Sequence, residues 1–208
     1  MGQKYIVMPE FTQEFPNIYR LKVPFDNIYT SVFLIKAVCG KILVDCATTQ
    51  RDVDDYIIPA LGALGIEVGD ISKVIITHNH SDHAGGLKRM LELDPNLTVI
   101  NSVSFVDEDI IIYPMPGHTR DFLGVLDKRT GTLISGDGLQ GAGVDKYRCS
   151  LATPRGYLET LEKIKHDSRI KNILFSHAYE PWNCDIILGT DAVISCIEEC
   201  KKYVGEIK

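Results

Sequence analysis

The 208-residue chain has no apolar run approaching the ~20 residues of a membrane span. It opens Met1-Gly2-Gln3-Lys4-Tyr5 and soon meets Pro9 and Glu10, so it lacks the pattern of a secretory leader. Ile6 stands where a myristoylation signal takes serine or threonine. No Cys-x-x-Cys pair occurs among the six cysteines, at 39, 46, 149, 184, 196 and 200. Without a leader, these read as reduced thiols in a cytoplasmic protein. Positive charge is in deficit. Lys and Arg number 22 against 28 Asp and Glu, a net charge of −6, and such a surface repels a phosphate backbone. Nucleic acid and membrane are therefore not expected partners. No linker or low-complexity stretch divides the chain, and its length fits one domain over 1–208. Hydrophobic residues make up 45% and charged residues 24%, which excludes a disordered tail, a collagen-like fibre and a coiled coil.

What is present is an alternation of short strands and helices. Apolar runs predict strands at 29–37 and 41–45 around a Cys39-Gly40 turn, then at 74–77, 97–100, 110–113, 123–126, 132–135 and 173–175. Val53, Ile57, Ala60, Leu61 and Leu64 recur at helical spacing and stop at Gly65. Further helices are predicted over 87–93, after a Thr153-Pro154 start with Tyr157, Leu158, Leu161 and Ile164 on one face, and over 190–204. Cys196 and Cys200 share a face of the last helix and read as core filling. A faint repeat runs through this order. A hairpin with glycine at 40 leads to Asp45, a helix, a strand and His78. A hairpin with glycine at 131 leads to Asp137, a helix, a strand and His177. This predicts two similar α/β halves packed face to face.

The histidines are concentrated. Three of six fall in His78-Asn79-His80-Ser81-Asp82-His83. Imidazole and carboxylate together suit zinc, iron or manganese. If 78–80 is extended, His78 and His80 point the same way, and Asp82 and His83 turn elsewhere, toward a second ion. His78, His118, Asp137 and His177 each follow a predicted buried strand, and loops at the carboxyl ends of strands are where α/β folds build sites. His166, beside Lys165 and Asp167, reads instead as a helix-terminal histidine favoured by the dipole.

At these residues the chain resembles the metallo-β-lactamase superfamily. The matching pieces are Thr77 to Gly86 (THNHSDHAGG), Pro116-Gly117-His118-Thr119, Ser135-Gly136-Asp137 and Ser176-His177, with Leu43-Val44-Asp45 upstream. The resemblance implies an α/β fold, the four-layer αβ/βα sandwich. It implies two divalent metal ions, zinc first, with manganese or iron as alternatives. His78, His80 and His118 would bind one, Asp82, His83 and His177 the other, and Asp137 both. Asp45 would order the 78–83 loop from behind the ligands. The implied activity is hydrolysis of a small-molecule ester, thioester or lactone, with a metal-bridging hydroxide as nucleophile. Two ions about 3.5–4 Å apart bring the pKa of such a water toward about 7. Asp82 would also orient this nucleophile or carry its proton.

The resemblance also narrows the membership. The glutamate of the flavodiiron branch is absent, because His80 stands there. The 40-residue step from Asp137 to His177 and the 35-residue step from His83 to His118 hold no large inserted nuclease domain. The 31 residues after His177 are too few for the helical glutathione-binding domain of typical glyoxalase II. Two departures stand out. Arg120-Asp121-Phe122 replaces a continuation where many family hydrolases carry a second histidine, and Gln140 occupies the place of a tyrosine common in family lactonases. Tyr147, Tyr179, Trp182 and Asn183 are candidates to line a pocket mouth, with Trp182 equally suited to cap the core. Arg148 and Arg155 could hold an acidic substrate or simply be solvated. The main alternative is a mononuclear iron oxygenase resembling persulfide dioxygenases, using His78, His118 and Asp137. β-Lactam or phosphodiester hydrolysis is a further alternative, and a metal-bound scaffold without activity is the non-enzymatic one.

Overall fold

The computed structural model describes residues 9–103, 105, 107–142, 150–178 and 181–206. The chain divides into two compact units. The first comprises residues up to Lys36, Gly40–Ile75 and Asn79–Val99. The second comprises Ala37–Cys39, Ile76–His78 and residues from Ile100 onward.

The first unit is built on a six-stranded sheet in simple sequence order: β1 (Thr12–Phe15), β2 (Ile18–Phe25), β3 (Ile28–Ala37), β4 (Gly40–Val44), β5 (Ile71–Ile75) and β6 (Thr98–Ile100). β1, β2 and β3 pair antiparallel, and β4 and β5 pair parallel. The sequence pattern did not announce β1 and β2. Arg20 falls on a buried position of β2, where it breaks the apolar alternation. It is kept there by Glu14 at 3.2 Å and by the ring of Phe33 beneath its guanidinium.

The crossover from β4 to β5 is the predicted helix, with an earlier start and a break. α1 (Gln50–Asp52) opens on a capping box. Thr49 Oγ1 accepts from the Asp52 amide at 3.2 Å, and Asp52 Oδ2 accepts from the Thr49 amide at 2.8 Å. A π turn over Val53–Ile57 leads into α2 (Ile58–Ala63). Pro59 has no amide hydrogen to donate to the preceding turn, and the widened turn lies just before it. Val53, Ile57, Ala60 and Leu61 are buried as the spacing predicts. α3 (Ser81–Ala84) and α4 (Leu87–Leu93) complete the unit.

The second unit carries β7 (Ile110–Pro114), β8 (Leu123–Asp127), β9 (Thr132–Gly136), β10 (Asn172–Phe175) and β11 (Ile186–Leu188), ordered β11-β10-β9-β8-β7. All neighbours pair antiparallel except β9 and β10, which are parallel. The crossover between that pair is α5 (Pro154–His166), which packs against α6 (Thr190–Glu206). The repeat read from the sequence is thus a repeat of topology: each unit has an antiparallel hairpin, a helix, and a strand returning parallel to the hairpin's second strand.

The core of this unit gathers Tyr113, Met115, Phe122, Leu133, Tyr157, Leu161, Ile173 and Phe175 with Cys196 and Cys200, so the two cysteines do fill the core. On α5, Tyr157, Leu161 and Ile164 are buried as expected, but Leu158 is 40% exposed. Thr160 takes its place on the inner face, where Oγ1 donates to the Pro116 carbonyl at 3.0 Å. The Thr153 hydroxyl does not cap the helix and points instead to the Gly117 carbonyl, 3.5 Å away. Among the described residues no helix is long and apolar enough to cross a membrane.

Candidate functional site

In the first unit, the chain leaving β4 enters a strained turn. Asp45 and Ala47 have φ of 63° and 59°, in the left-handed region that costs a side-chain-bearing residue energy. The turn is pinned on both sides. The Asp45 amide donates to the Ile75 carbonyl at 2.9 Å, and the Cys46 amide donates to the His83 carbonyl at 2.7 Å. His80 sits exposed at the cap position of α3, and the helical turn then carries Asp82 and His83 inward. The change of direction expected after His80 is a helical turn that begins at Ser81. Asp82 and His83 end up edge to edge, with Nε2 and Oδ2 3.2 Å apart.

The rest of this cluster fixes those two side chains. His83 Nδ1 donates to Asp45 Oδ2 at 2.7 Å, both groups fully buried, so Nε2 is the ring nitrogen that faces Asp82. Thr30 Oγ1 donates to the Asp82 carbonyl at 2.9 Å. Gly85 and Gly86 let the turn press against the strained loop, since a Cβ on Gly85 would collide with the Thr48 backbone and one on Gly86 with the Cys46 carbonyl. Burial, and secondarily the Asp45 carboxylate, push the Cys46 thiol well above its ordinary pKa, so it is held as a neutral filler.

In the second unit, His78, His118, Asp137 and His177 are all buried. The Thr77 hydroxyl lies 3.1 Å from His78 Nδ1. The His78 and His118 rings meet edge to face at 5.0 Å, and Phe122 walls both. Phe122 is the last residue of the Arg120-Asp121-Phe122 continuation, so an aromatic ring and not a further imidazole stands beside these two histidines. Asp137 follows Gly136, whose φ of 53° makes the turn out of β9, and Asp137 Oδ1 lies 3.2 Å from His177 Nε2. His118 Nδ1 is 2.9 Å from the Ser150 carbonyl and 2.8 Å from the Gln140 carboxamide. The backbone of Gln140 is clamped by one hydroxyl: Tyr157 OH donates to its carbonyl at 2.8 Å and accepts from its amide at 2.6 Å. Burial holds the Tyr157 phenol far above its ordinary pKa, so it stays protonated to do this.

These residues fit a divalent metal ion. Ligand atoms at about 2.1 Å from a tetrahedral ion lie about 3.4 Å from one another. The Asp82–His83 and Asp137–His177 edges, both 3.2 Å, have that span, and the ligand atoms of His78 and His118 lie within 4.8 Å. Nitrogen and carboxylate donors suit zinc, manganese and iron alike. The imidazoles of His83 and His118 engage their Nδ1 with a carboxylate or a carbonyl, the usual support of a ligating Nε2.

Sequence reasoning identified Asp45 behind His83. It did not find the contacts of Thr30 and Ser150 here, nor those of Gln140 and Tyr157, which it read only as a departure from the family pattern and a core residue, because each contact is made through a single backbone or side-chain atom that no spacing reveals. Trp182 stacks on Phe175 at 5.0 Å and 8°, packed against the core. Arg155 is exposed and paired with Glu159, and His166 is exposed beside Glu162. Tyr147, Arg148 and Tyr179 lie outside the described residues.

The sequence model of the metallo-beta-lactamase superfamily matches residues 26–105. The fold is similar to that of the metallo-beta-lactamase FIM-1 of Pseudomonas aeruginosa in its mono-zinc form, with a TM-score of 0.71 over 95% of this chain and 97% of that one, at 15% identity. The protein is thus an α/β protein of the metallo-β-lactamase fold. Among curated relatives, the hydroxyacylglutathione hydrolase of Pectobacterium carotovorum is 28% identical over 59% of this chain. The beta-lactamase-like protein 2 homolog of Drosophila melanogaster is 29% identical over 65% of it. The chain spans 59% and 54% of the lengths of these two relatives.

Proposed function

We propose that the chain is a cytoplasmic metal-dependent hydrolase of a small ester, thioester or lactone, with two divalent ions, zinc foremost, held in a single domain. In this reading His78, His80 and His118 would hold one ion, Asp82, His83 and His177 would hold the other, and Asp137 would serve both. The observation that carries it is the matched pair of buried carboxylate–imidazole edges, Asp82–His83 and Asp137–His177, each 3.2 Å across. The relatives named hydroxyacylglutathione hydrolase support putting a thioester first among the substrates to be tried.

Bound divalent ions supply Lewis acidity and an activated water at neutral pH. The chain's own contribution is orientation. Asp45 fixes the His83 tautomer, the strained turn at 45–47 fixes Asp45, and Phe122 keeps one side of His78 and His118 dry. With the ions bound, the Asp82 carboxylate, whose Oδ2 lies beside His83, would orient the attacking water or hold its proton. No cysteine nucleophile is required, in keeping with the burial of Cys46, Cys196 and Cys200.

The test is a panel containing a hydroxyacylglutathione thioester, a simple ester and a lactone, offered to the zinc-loaded chain. Hydrolysis of at least one is expected. His80→Ala and Asp137→Ala should each lose bound metal and hydrolysis while keeping the fold. If both variants retain full activity, the site assignment is wrong.

A further inference from the structure

Two polar groups converge on one nitrogen of His118. The Ser150 carbonyl oxygen lies 2.9 Å from Nδ1 and the Gln140 carboxamide nitrogen lies 2.8 Å from it. A ring nitrogen is either a donor or an acceptor, so it cannot serve both a carbonyl oxygen and an amide N–H. A carbonyl only accepts. When Nδ1 carries the proton, it donates to Ser150, and Nε2 is the bare nitrogen that can ligate. The amide N–H of Gln140 is then opposed by a ring N–H. When Nδ1 is bare, it accepts from Gln140. The proton then sits on Nε2, which cannot ligate.

A half-turn of the carboxamide resolves the conflict without moving any other atom, because its oxygen and nitrogen exchange places. Oε1 then faces Nδ1–H as a second acceptor. In the structure Oε1 is buried and has no hydrogen-bond partner among the described residues; the half-turn gives the oxygen one and moves the carboxamide N–H groups to the position it vacates. Gln140 is 1% exposed, and Tyr157 OH grips both its amide and its carbonyl. The side chain therefore starts from a fixed backbone, and its carboxamide has two settings against one ring.

We propose that Gln140, anchored by Tyr157, is a positioning residue whose carboxamide oxygen selects the Nδ1–H tautomer of His118 and so presents Nε2 for a metal ion. The inference rests on the reading of His118 as a ligand given above. It also gives a role to the residue that stands where family lactonases place a tyrosine: at this position the chain supports a ligand from behind.

Three variants separate positioning from packing. Gln140→Glu keeps an acceptor toward Nδ1. Gln140→Met keeps the volume and removes the acceptor. Tyr157→Phe keeps the ring and releases the Gln140 backbone. The readouts are the tautomer of His118 in the metal-free chain, from long-range proton–nitrogen NMR correlations, and zinc affinity by chelator competition. Gln140→Glu is expected to hold the Nδ1–H tautomer and to bind zinc at least as tightly as the unmodified chain. Gln140→Met and Tyr157→Phe are expected to mix the tautomers and weaken zinc binding by about tenfold or more. A packing role predicts the reverse order, with Met tolerated and a buried Glu disruptive. Zinc affinity and tautomer unchanged in both Gln140→Met and Tyr157→Phe would overturn the proposal. If the unmodified chain binds no zinc, it is the functional reading that fails. The tautomer readout still decides this inference, because it needs no metal.

Discussion

Asp45 combines two costs that a merely structural aspartate would avoid: a left-handed backbone at φ 63°, and a buried carboxylate given to one imidazole at 2.7 Å. Both are explained if His83 must be held in a single tautomer. Asparagine tolerates the same backbone, so Asp45→Asn isolates the carboxylate. It should weaken zinc binding by about 10–100-fold with the fold intact, as read by chelator competition and circular dichroism. The same reasoning covers the thiols. Burial raises the Cys46 pKa, and the neighbouring Cys200 together with burial raises that of Cys196, so both remain protonated and enclosed. Among the cysteines of the described residues, Cys39 and Cys184, which are partly exposed, should alkylate first in the native chain. Cys46 and Cys196 should react only on unfolding, as peptide mass mapping would show.

At the scale of elements, the site depends on α3 being a helical turn seated against the 46–48 loop. A methyl group at Gly85 meets the Thr48 backbone, which cannot yield without moving the loop that carries Asp45. Gly85→Ala should therefore cost about 3 kcal/mol or more by chemical denaturation, at the upper end of overpacking. This contact shows what sequence could and could not convey. The spacing of 78, 80, 82 and 83 and the strand ends before His118, Asp137 and His177 were legible, because chemistry-bearing residues there follow apolar runs. The helical turn at Ser81 was not, because four residues carry no periodicity. β2 was hidden by Arg20, a buried charge in an apolar slot, and the π turn before Pro59 by an otherwise regular helical pattern. Leu158 was placed inward from its hydrophobicity alone, whereas Thr160 is the residue that α5 geometry turns inward. Contacts made by one atom, such as Tyr157 OH on the Gln140 backbone, leave no trace in composition or period.

Across the whole molecule, several acidic groups have their pKa held below the ordinary carboxylate range. The Arg169 guanidinium lowers Asp167. The Lys201 ammonium lowers Glu162, and Lys165 with Lys201 lowers Glu198. A depressed folded-state pKa adds stability that is present above the unfolded pKa and lost as pH falls through the folded one. The denaturation midpoint should therefore fall from about pH 5 downward, and Asp167→Asn should flatten that dependence. The net charge of −6 has the opposite sign to a phosphate-binding surface and sets no barrier to cations. The central claim is that seven side chains, His78, His80, Asp82, His83, His118, Asp137 and His177, hold two divalent ions. The most direct test is elemental analysis of the purified chain after dialysis against zinc, with His80→Ala and Asp137→Ala alongside. About two ions per chain, lost in both variants, is the predicted result, as a two-metal site requires. No bound metal would contradict the account, and so would a single iron that persists in His80→Ala. The latter would point to oxygen chemistry at His78, His118 and Asp137.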